Sequence, residues 1–177
     1  MHIDITYNDD FDEFTNDLTL QMRLENYIKN HFHPAYTIST LCPIYLLGGA
    51  IRNLIYAKKP KDLDFVVLGR ENFDLILQVF EKFHIEYSLN RFGGFKFKYE
   101  NTKVDLWLSN DLFSAMQYNV DGLFFDLKTN SLLSLTFDDF ITNGLKLVNN
   151  DNNIEKKKKK KLIKFEKKFR ENNHDLS

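Results

Sequence analysis

The sequence predicts an α+β fold built in a single domain. Three observations predict it. Short apolar runs bounded by glycine or proline read as strands, and amphipathic stretches of helical period lie between them. The middle of the chain is rich in hairpin signals, which favours a mixed sheet over a regular parallel βαβ array. The 177 residues suit one ordinary domain and leave no room for a second large recognition domain. With 43% hydrophobic and 28% charged residues the chain has the balance of a soluble globular protein.

The elements follow in order. Residues 17–33 carry a rough apolar stripe through Leu18, Leu20, Met22, Leu24, Tyr27, Ile28 and Phe32, the mark of a helix that Pro34 stops. Pro43 introduces the apolar run Ile44–Leu47, a buried strand, and Gly48 and Gly49 break it. Ala50–Ala57 begins a helix, and the basic link Lys58–Lys61 leads to the strand Asp62–Leu68. Glu71–Phe83 is amphipathic through Phe73, Leu75, Ile76, Val79 and Phe80. Ile85–Leu89 is a strand, and Phe95–Tyr99 alternates Phe with Lys as a strand with one buried face does. Asn101 marks a hairpin turn before the strand Lys103–Leu108. Asp111–Tyr118 reads as a short helix, and Leu123–Leu127 and Leu132–Leu135 as strands about a Thr129-Asn130 turn. Phe137–Asn143 is a helix ending at Gly144, and Leu145–Val148 reads as a last strand. Residues 151–177 form a basic tail, helical if Leu162, Phe165 and Phe169 share a face; residues 1–16 form an acidic arm, and the domain lies between.

No apolar run approaches the roughly 18 residues a membrane span requires, so no membrane partner is expected. The acidic first residues lack the pattern of a signal peptide, and a cytoplasmic setting is the expectation. A single cysteine, Cys42, excludes an internal disulfide framework and a Cys-rich zinc site. His31 and His33 have no further ligand at metal spacing. The formal net charge of −1 hides an asymmetry: residues 1–30 hold seven Asp/Glu against two Lys/Arg, and residues 155–177 hold ten Lys/Arg against four Asp/Glu. A basic tail is either a solvated end or a surface that holds a polyanion.

The chemistry concentrates in Tyr45–Leu68, YLLGGAIRNLIYAKKPKDLDFVVL. Paired glycines let a backbone approach a ligand, and amides that open a helix favour phosphate oxygens. Asp62 and Asp64 lie two apart on a strand, so both carboxylates share a face while Leu63 and Phe65 take the other. Carboxylates forced together repel, and a divalent cation such as Mg2+ relieves that cost. Each feature alone is commonplace. A glycine pair often makes a plain turn, and Asp-x-Asp often ends a strand in solvent. Together, with Asp62 following Gly49 by 13 positions, they are far more specific. In Lys103–Leu108, Val104, Leu106 and Leu108 form the apolar face and Asp105 and Trp107 the opposite one. Asp105 is then either exposed on an edge strand or a third metal ligand. Three carboxylates suffice for two ions, Mg2+ with Mn2+ as a substitute.

These residues resemble the head of the bacterial poly(A) polymerase and CCA-adding tRNA nucleotidyltransferase family, which shows a strand, Gly-Gly-x-x-Arg-Asp and then Lys-Asp-x-Asp. The likeness is strong over residues 44–68, fair over 90–108 and faint over 119–148, where VDGLFFDLKTNSLLS is similar to the hairpin closing that head. It implies the polymerase-β-like nucleotidyltransferase fold, a twisted mixed sheet with helices packed on one side. It also implies that Asp62, Asp64 and Asp105 are catalytic and bind the metals, and that Gly48, Gly49 and Arg52 meet an NTP, ATP or CTP. The activity implied is transfer of an NMP to an acceptor hydroxyl with release of pyrophosphate. Gly93 and Gly94 shape a bend in the variable loop ahead of the third carboxylate.

The chain departs from the family pattern in three places. Asn53 follows Arg52 where the family has Asp; Ala115-Met116-Gln117 stands where it has Arg-Arg-Asp; and no Glu-Asp-x-x-Arg precedes Lys156–Lys161. An RNA 3′ end held by the basic tail is the leading acceptor, and removal of the tail is expected to spare NTP binding. A small-molecule or protein hydroxyl is the alternative, and a degenerate nucleotide-binding module is the third. Arg52 either points back at the phosphates or pairs with an aspartate.

Overall fold

The structure is a computed structural model that describes residues 19–149 and 156–172. The acidic arm expected over 1–16 lies outside the described residues, as do 151–155 and 173–177 of the tail. Seven strands form one sheet: β1 (Ile44–Leu47), β2 (Asp62–Leu68), β3 (Tyr87–Leu89), β4 (Phe95–Tyr99), β5 (Thr102–Ser109), β6 (Leu123–Asp126) and β7 (Ser131–Ser134). Their order is β3-β4-β5-β2-β1-β6-β7. Only β2 and β5 pair in parallel, with Asp64 beside Asp105, and every other pairing is antiparallel. The fold is therefore α+β with a mixed sheet, as expected from the hairpin-rich middle of the chain.

The alternation of side chains along β2 sets the two faces. Leu63, Phe65 and Val67 enter the larger core, and helices cover that face alone. They are α1 (Leu20–His31), α2 (Pro34–Leu41), α3 (Gly49–Ile55), α4 (Phe73–Lys82), α5 (Phe137–Asn143) and α6 (Lys156–Asn172). Phenylalanine fills this core. Phe32 meets Phe65 and Phe97 at ring-centroid distances of 5.7 and 5.3 Å, and Phe80 meets Phe95 at 5.1 Å. Each such buried ring contributes about 2–3 kcal/mol by leaving water. The other face of β2 carries Asp62, Asp64 and Val66. Val66 joins Leu47, Leu112, Met116 and Phe124 in a small second cluster. That cluster covers one end of the face and leaves the carboxylates open.

Three local expectations change. Pro34 stops α1 and also starts α2 at its first turn, where a missing N–H costs nothing. Residues 111–118 are not a helix beyond a short 3-10 turn at Phe113–Ala115; the segment instead lays Leu112 and Met116 on the second cluster. Residues 145–148 make no strand, only a single bridge between Tyr118 and Leu147. The helix α6 docks on α5, with Phe169 ring centroids 5.9 Å from Phe137 and 5.7 Å from Phe140. Glu166 accepts from the Leu145 N–H (3.2 Å), and the Arg170 guanidinium donates to the Phe140 carbonyl (3.4 Å). Among the described residues no helix is long and apolar enough to cross a membrane.

Candidate active site

The site grows from the end of β1. Leu47 pairs with Asp64 in the antiparallel register, so the turn that follows β1 falls beside the β2 carboxylates. Gly48 holds φ 78° and ψ −138°, a conformation that strains any L-residue. A Cβ at Gly48 would lie 3.5 Å from Asp64 Oδ2, and one at Gly49 would lie 4.0 Å from Arg52 Nη2. The paired glycines thus bring main chain against one carboxylate and one guanidinium. We expect Gly48→Ala to cost about 1–3 kcal/mol in backbone strain, checked by urea unfolding. Gly49→Ala, at ordinary φ, should cost less.

A cleft of about 810 Å³ opens over this turn. Gly48, Gly49, Arg52, Asp62 and Asp64 line it together. So do Lys61, Trp107, Asp121 and three lysines of α6, Lys157, Lys158 and Lys161. Five cations therefore face three carboxylates, an imbalance that suits an anionic ligand. Asp105 sits one strand away on the same face and ion-pairs with Lys96 (3.5 Å). Among the described residues no three His, Cys, Asp or Glu side chains converge on a single metal position.

The carboxylates nonetheless feel one another. The Asp64 carboxyl is pushed up to about 7, first by burial and then by the charges of Asp62 and Asp105, against a smaller opposing pull from Arg52 and Lys158. An all-oxygen donor set of this kind, carrying surplus mutual repulsion, fits a hard divalent cation. Asp62 and Asp64, two apart on one face of β2, are the residues that could hold it; Asp105 shares that face but is held by Lys96.

The sequence reading did not single out the second half of the site. Asp121, 4% exposed, lies in a 3-10 turn at Asn119–Asp121. Its Oδ1 accepts from Arg52 Nη1 (3.1 Å) and its Oδ2 from Lys158 Nζ (3.0 Å). The Tyr118 and Gln117 N–H groups also donate to Oδ2, at 2.9 and 3.3 Å. Burial alone would raise this carboxyl, but Lys158, then Arg52 and the Tyr118 N–H, hold it below the usual carboxylate range. Arg52 therefore takes the second of the two orientations the sequence left open. A lone carboxylate between Val120 and Gly122 in an apolar stretch was the available signal for Asp121. The α6 lysines gave none, because they reach the cleft only through tertiary packing.

The mixed sheet with helices on one face and carboxylates on the other is a fold shared with several solved tRNA nucleotidyltransferases. The chain is similar to a CCA-adding enzyme in complex with ATP, at 16% identity and a TM-score of 0.55 over 73% of this chain and 35% of that one. It is also similar to the Thermotoga maritima CCA-adding enzyme complexed with tRNA, at 15% identity and a TM-score of 0.52 over 72% of this chain and 32% of that one. A tRNA nucleotidyltransferase complexed with a primer tRNA and an ATP analogue matches at 15% identity, TM-score 0.50, over 62% of this chain and 36% of that one. The match thus spans about a third of the length of each of these structures. No family model and no curated protein matches the chain.

Proposed function

We propose that the protein is a nucleotidyltransferase that moves an NMP from an NTP, ATP or CTP, to an acceptor hydroxyl, with an RNA 3′ end as the acceptor. One observation carries this reading: the strained glycine turn, the Asp62–Asp64 pair and five cations share one cleft. Neighbours of the same fold were solved with ATP, with CTP and with tRNA, which supports the choice of ligands.

The triphosphate lies along Gly48 and Gly49, where the main chain is bare. Lys61, Lys157 and Lys161 line the cleft, none of them ion-paired among the described residues, and meet its oxygens. The Arg52 guanidinium is anchored on Asp121 through Nη1, and its Nη2, 4.0 Å from where a Cβ at Gly49 would stand, remains within reach of a phosphate laid along that turn. Asp62 and Asp64 would hold Mg2+, or Mn2+ in its place, and Asp105 is the third carboxylate on that face of the sheet. A bound divalent cation neutralises phosphate charge and eases deprotonation of the acceptor. The acceptor hydroxyl gives its proton to Asp105. Its oxygen forms a bond to the α-phosphorus as the bond from that phosphorus to the bridging oxygen breaks, and pyrophosphate leaves.

The α6 lysines revise the expectation that the tail acts on RNA alone. We expect the double change Lys157→Ala, Lys161→Ala to weaken NTP binding by about 0.5–1 kcal/mol for each lysine at low salt. The loss should shrink as ionic strength rises. Titration of NTP at two salt concentrations checks this. The acceptor class is tested by incubating the protein with each labelled NTP, Mg2+ and separate RNA and protein fractions from cells. Label in the RNA fraction supports the reading, and label confined to the protein fraction contradicts it.

A further inference from the structure

A second groove, of about 600 Å³, shares Trp107 with the nucleotide cleft. Trp107 lies two residues beyond Asp105 on β5, on the same open face of the sheet. Arg70, Phe92, Gly94, Ser109 and Ser114 are among the groove's other lining residues, and no lining residue carries a negative charge. Phe92 is 82% exposed, the most exposed large apolar side chain among the described residues.

The loop that presents it is ordered by its own hydrogen bonds. Asn90 Oδ1 accepts from the Phe92 N–H (2.8 Å) and the Gly94 N–H (3.0 Å), and the Asn90 N–H donates to the Gly94 carbonyl (2.8 Å). Gly94 crosses close over β5: a Cβ there would stand 3.3 Å from Trp107 Cβ and 2.8 Å from Asn90 Nδ2. The bend at Gly93-Gly94 therefore exists to let the loop approach Trp107 while Phe92 stands free. The Arg91 guanidinium lies 4.6 Å from the centre of the Phe92 ring. An exposed ring with a cation stacked on it, beside a groove free of carboxylates, is the combination that single-stranded nucleic acid favours: base stacking on the aromatic, phosphates on the arginines.

We propose that this groove seats the end of a single-stranded RNA acceptor, with a base stacked on Phe92 and its phosphates met by Arg91 and Arg70. Trp107 then forms the wall along which the 3′ hydroxyl reaches Asp105 and the nucleotide. The proposal rests on the nucleotidyl-transfer reading and names the acceptor subsite that reading lacks. Because stacking reads a π-face common to all bases, the groove tolerates sequence and rejects a duplex, whose bases are already stacked.

The test uses the intact chain and a short single-stranded RNA, without NTP. Trp107 is the only tryptophan of the protein, so its fluorescence reports on occupancy, with oligonucleotide anisotropy as a second readout. We expect salt-dependent quenching by single-stranded but not double-stranded RNA. Phe92→Ala should weaken RNA binding about tenfold, and Phe92→Tyr should restore it. Mg2+–ATP affinity, measured separately, should not change in either variant. With the ring already in water, the melting temperature should also hold. RNA binding by Phe92→Ala equal to that of the intact protein overturns the proposal. So does absence of RNA binding where ATP binds normally, which leaves nucleotidyl transfer standing and points to a protein or small-molecule acceptor. Failure of ATP to bind at all sinks the transfer reading instead, whereas Phe92-dependent quenching by RNA would still support the groove.

Discussion

Replacing Asp64 with asparagine is expected to abolish transfer and, in metal-free buffer at pH 8, to stabilise the protein. The loss of activity follows from removing one of the two carboxylates proposed to hold the cation. The gain in stability follows from linkage. In the folded chain the Asp64 carboxyl titrates at about 7, against 3.8 for an unperturbed aspartate, because of burial first and then Asp62 and Asp105. Below about pH 4 the group is protonated in both states and contributes no penalty. Between 3.8 and about 7 the unfolded chain releases the proton while the folded chain keeps it, so stability falls as pH rises. Above about 7 the penalty is complete. Full burial would make it about 4 kcal/mol. Asp64 is only partly buried, so solvent screening reduces it to about 2 kcal/mol. Thermal melts of both proteins at pH 5 and pH 8, with EDTA and then with Mg2+, check this. The advantage of asparagine should be larger at pH 8 than at pH 5 and should vanish when the cation binds the intact protein. A melt severely lowered by the substitution would make Asp64 a structural residue.

Asp121→Ala is expected to destabilise the fold by about 3 kcal/mol, because it strands two partly buried cations around a buried position. Arg52 and Lys158 both end on this carboxylate, and their side chains are 18% and 36% exposed. Two main-chain N–H groups, of Gln117 and Tyr118, lose their acceptor at the same time. Lys158→Ala alone leaves Arg52 to balance Asp121 and should cost much less. Adding Lys158→Ala to Asp121→Ala should recover part of the loss, since one stranded charge disappears. Urea unfolding of the four proteins closes the double-mutant cycle, and a positive coupling of about 1 kcal/mol or more is the expected result. Simple additivity would mean that the ion pair does not join α6 to the head.

Asp121 also marks where the sequence stopped being legible. Strands β1, β2 and β4 were readable to the residue, because glycine, proline or strict alternation frames each of them. The glycine turn and Asp62–Asp64 were readable because a strand's period of two and a 13-position spacing fix their geometry locally. Residues 145–148 were misread because Leu145, Leu147 and Val148 satisfy strand propensity, while the segment pairs only with residues 117–119 and makes a single bridge, Tyr118 to Leu147. Residues 111–118 were misread because their apolar residues serve a cover for the second cluster instead of a helical face. The partners of Asp121 lie 69 and 37 positions away in the chain, and Lys158 arrives only because Phe165 and Phe169 dock on α5. Nothing local announces such a contact. The lysine run of α6 looks like a solvated tail in one dimension and forms one wall of the cleft over Gly48-Gly49 in three.

The central claim is that the cleft over Gly48-Gly49 transfers a nucleotidyl group. Parallel reactions with ATP or CTP labelled in the α-phosphate or in the γ-phosphate, given Mg2+ and RNA, test it most directly. The α label should become attached to the acceptor, the γ label should appear in pyrophosphate, and both signals should vanish with Asp64→Asn. The γ label on the acceptor or in free phosphate, or activity that survives Asp64→Asn, would contradict it.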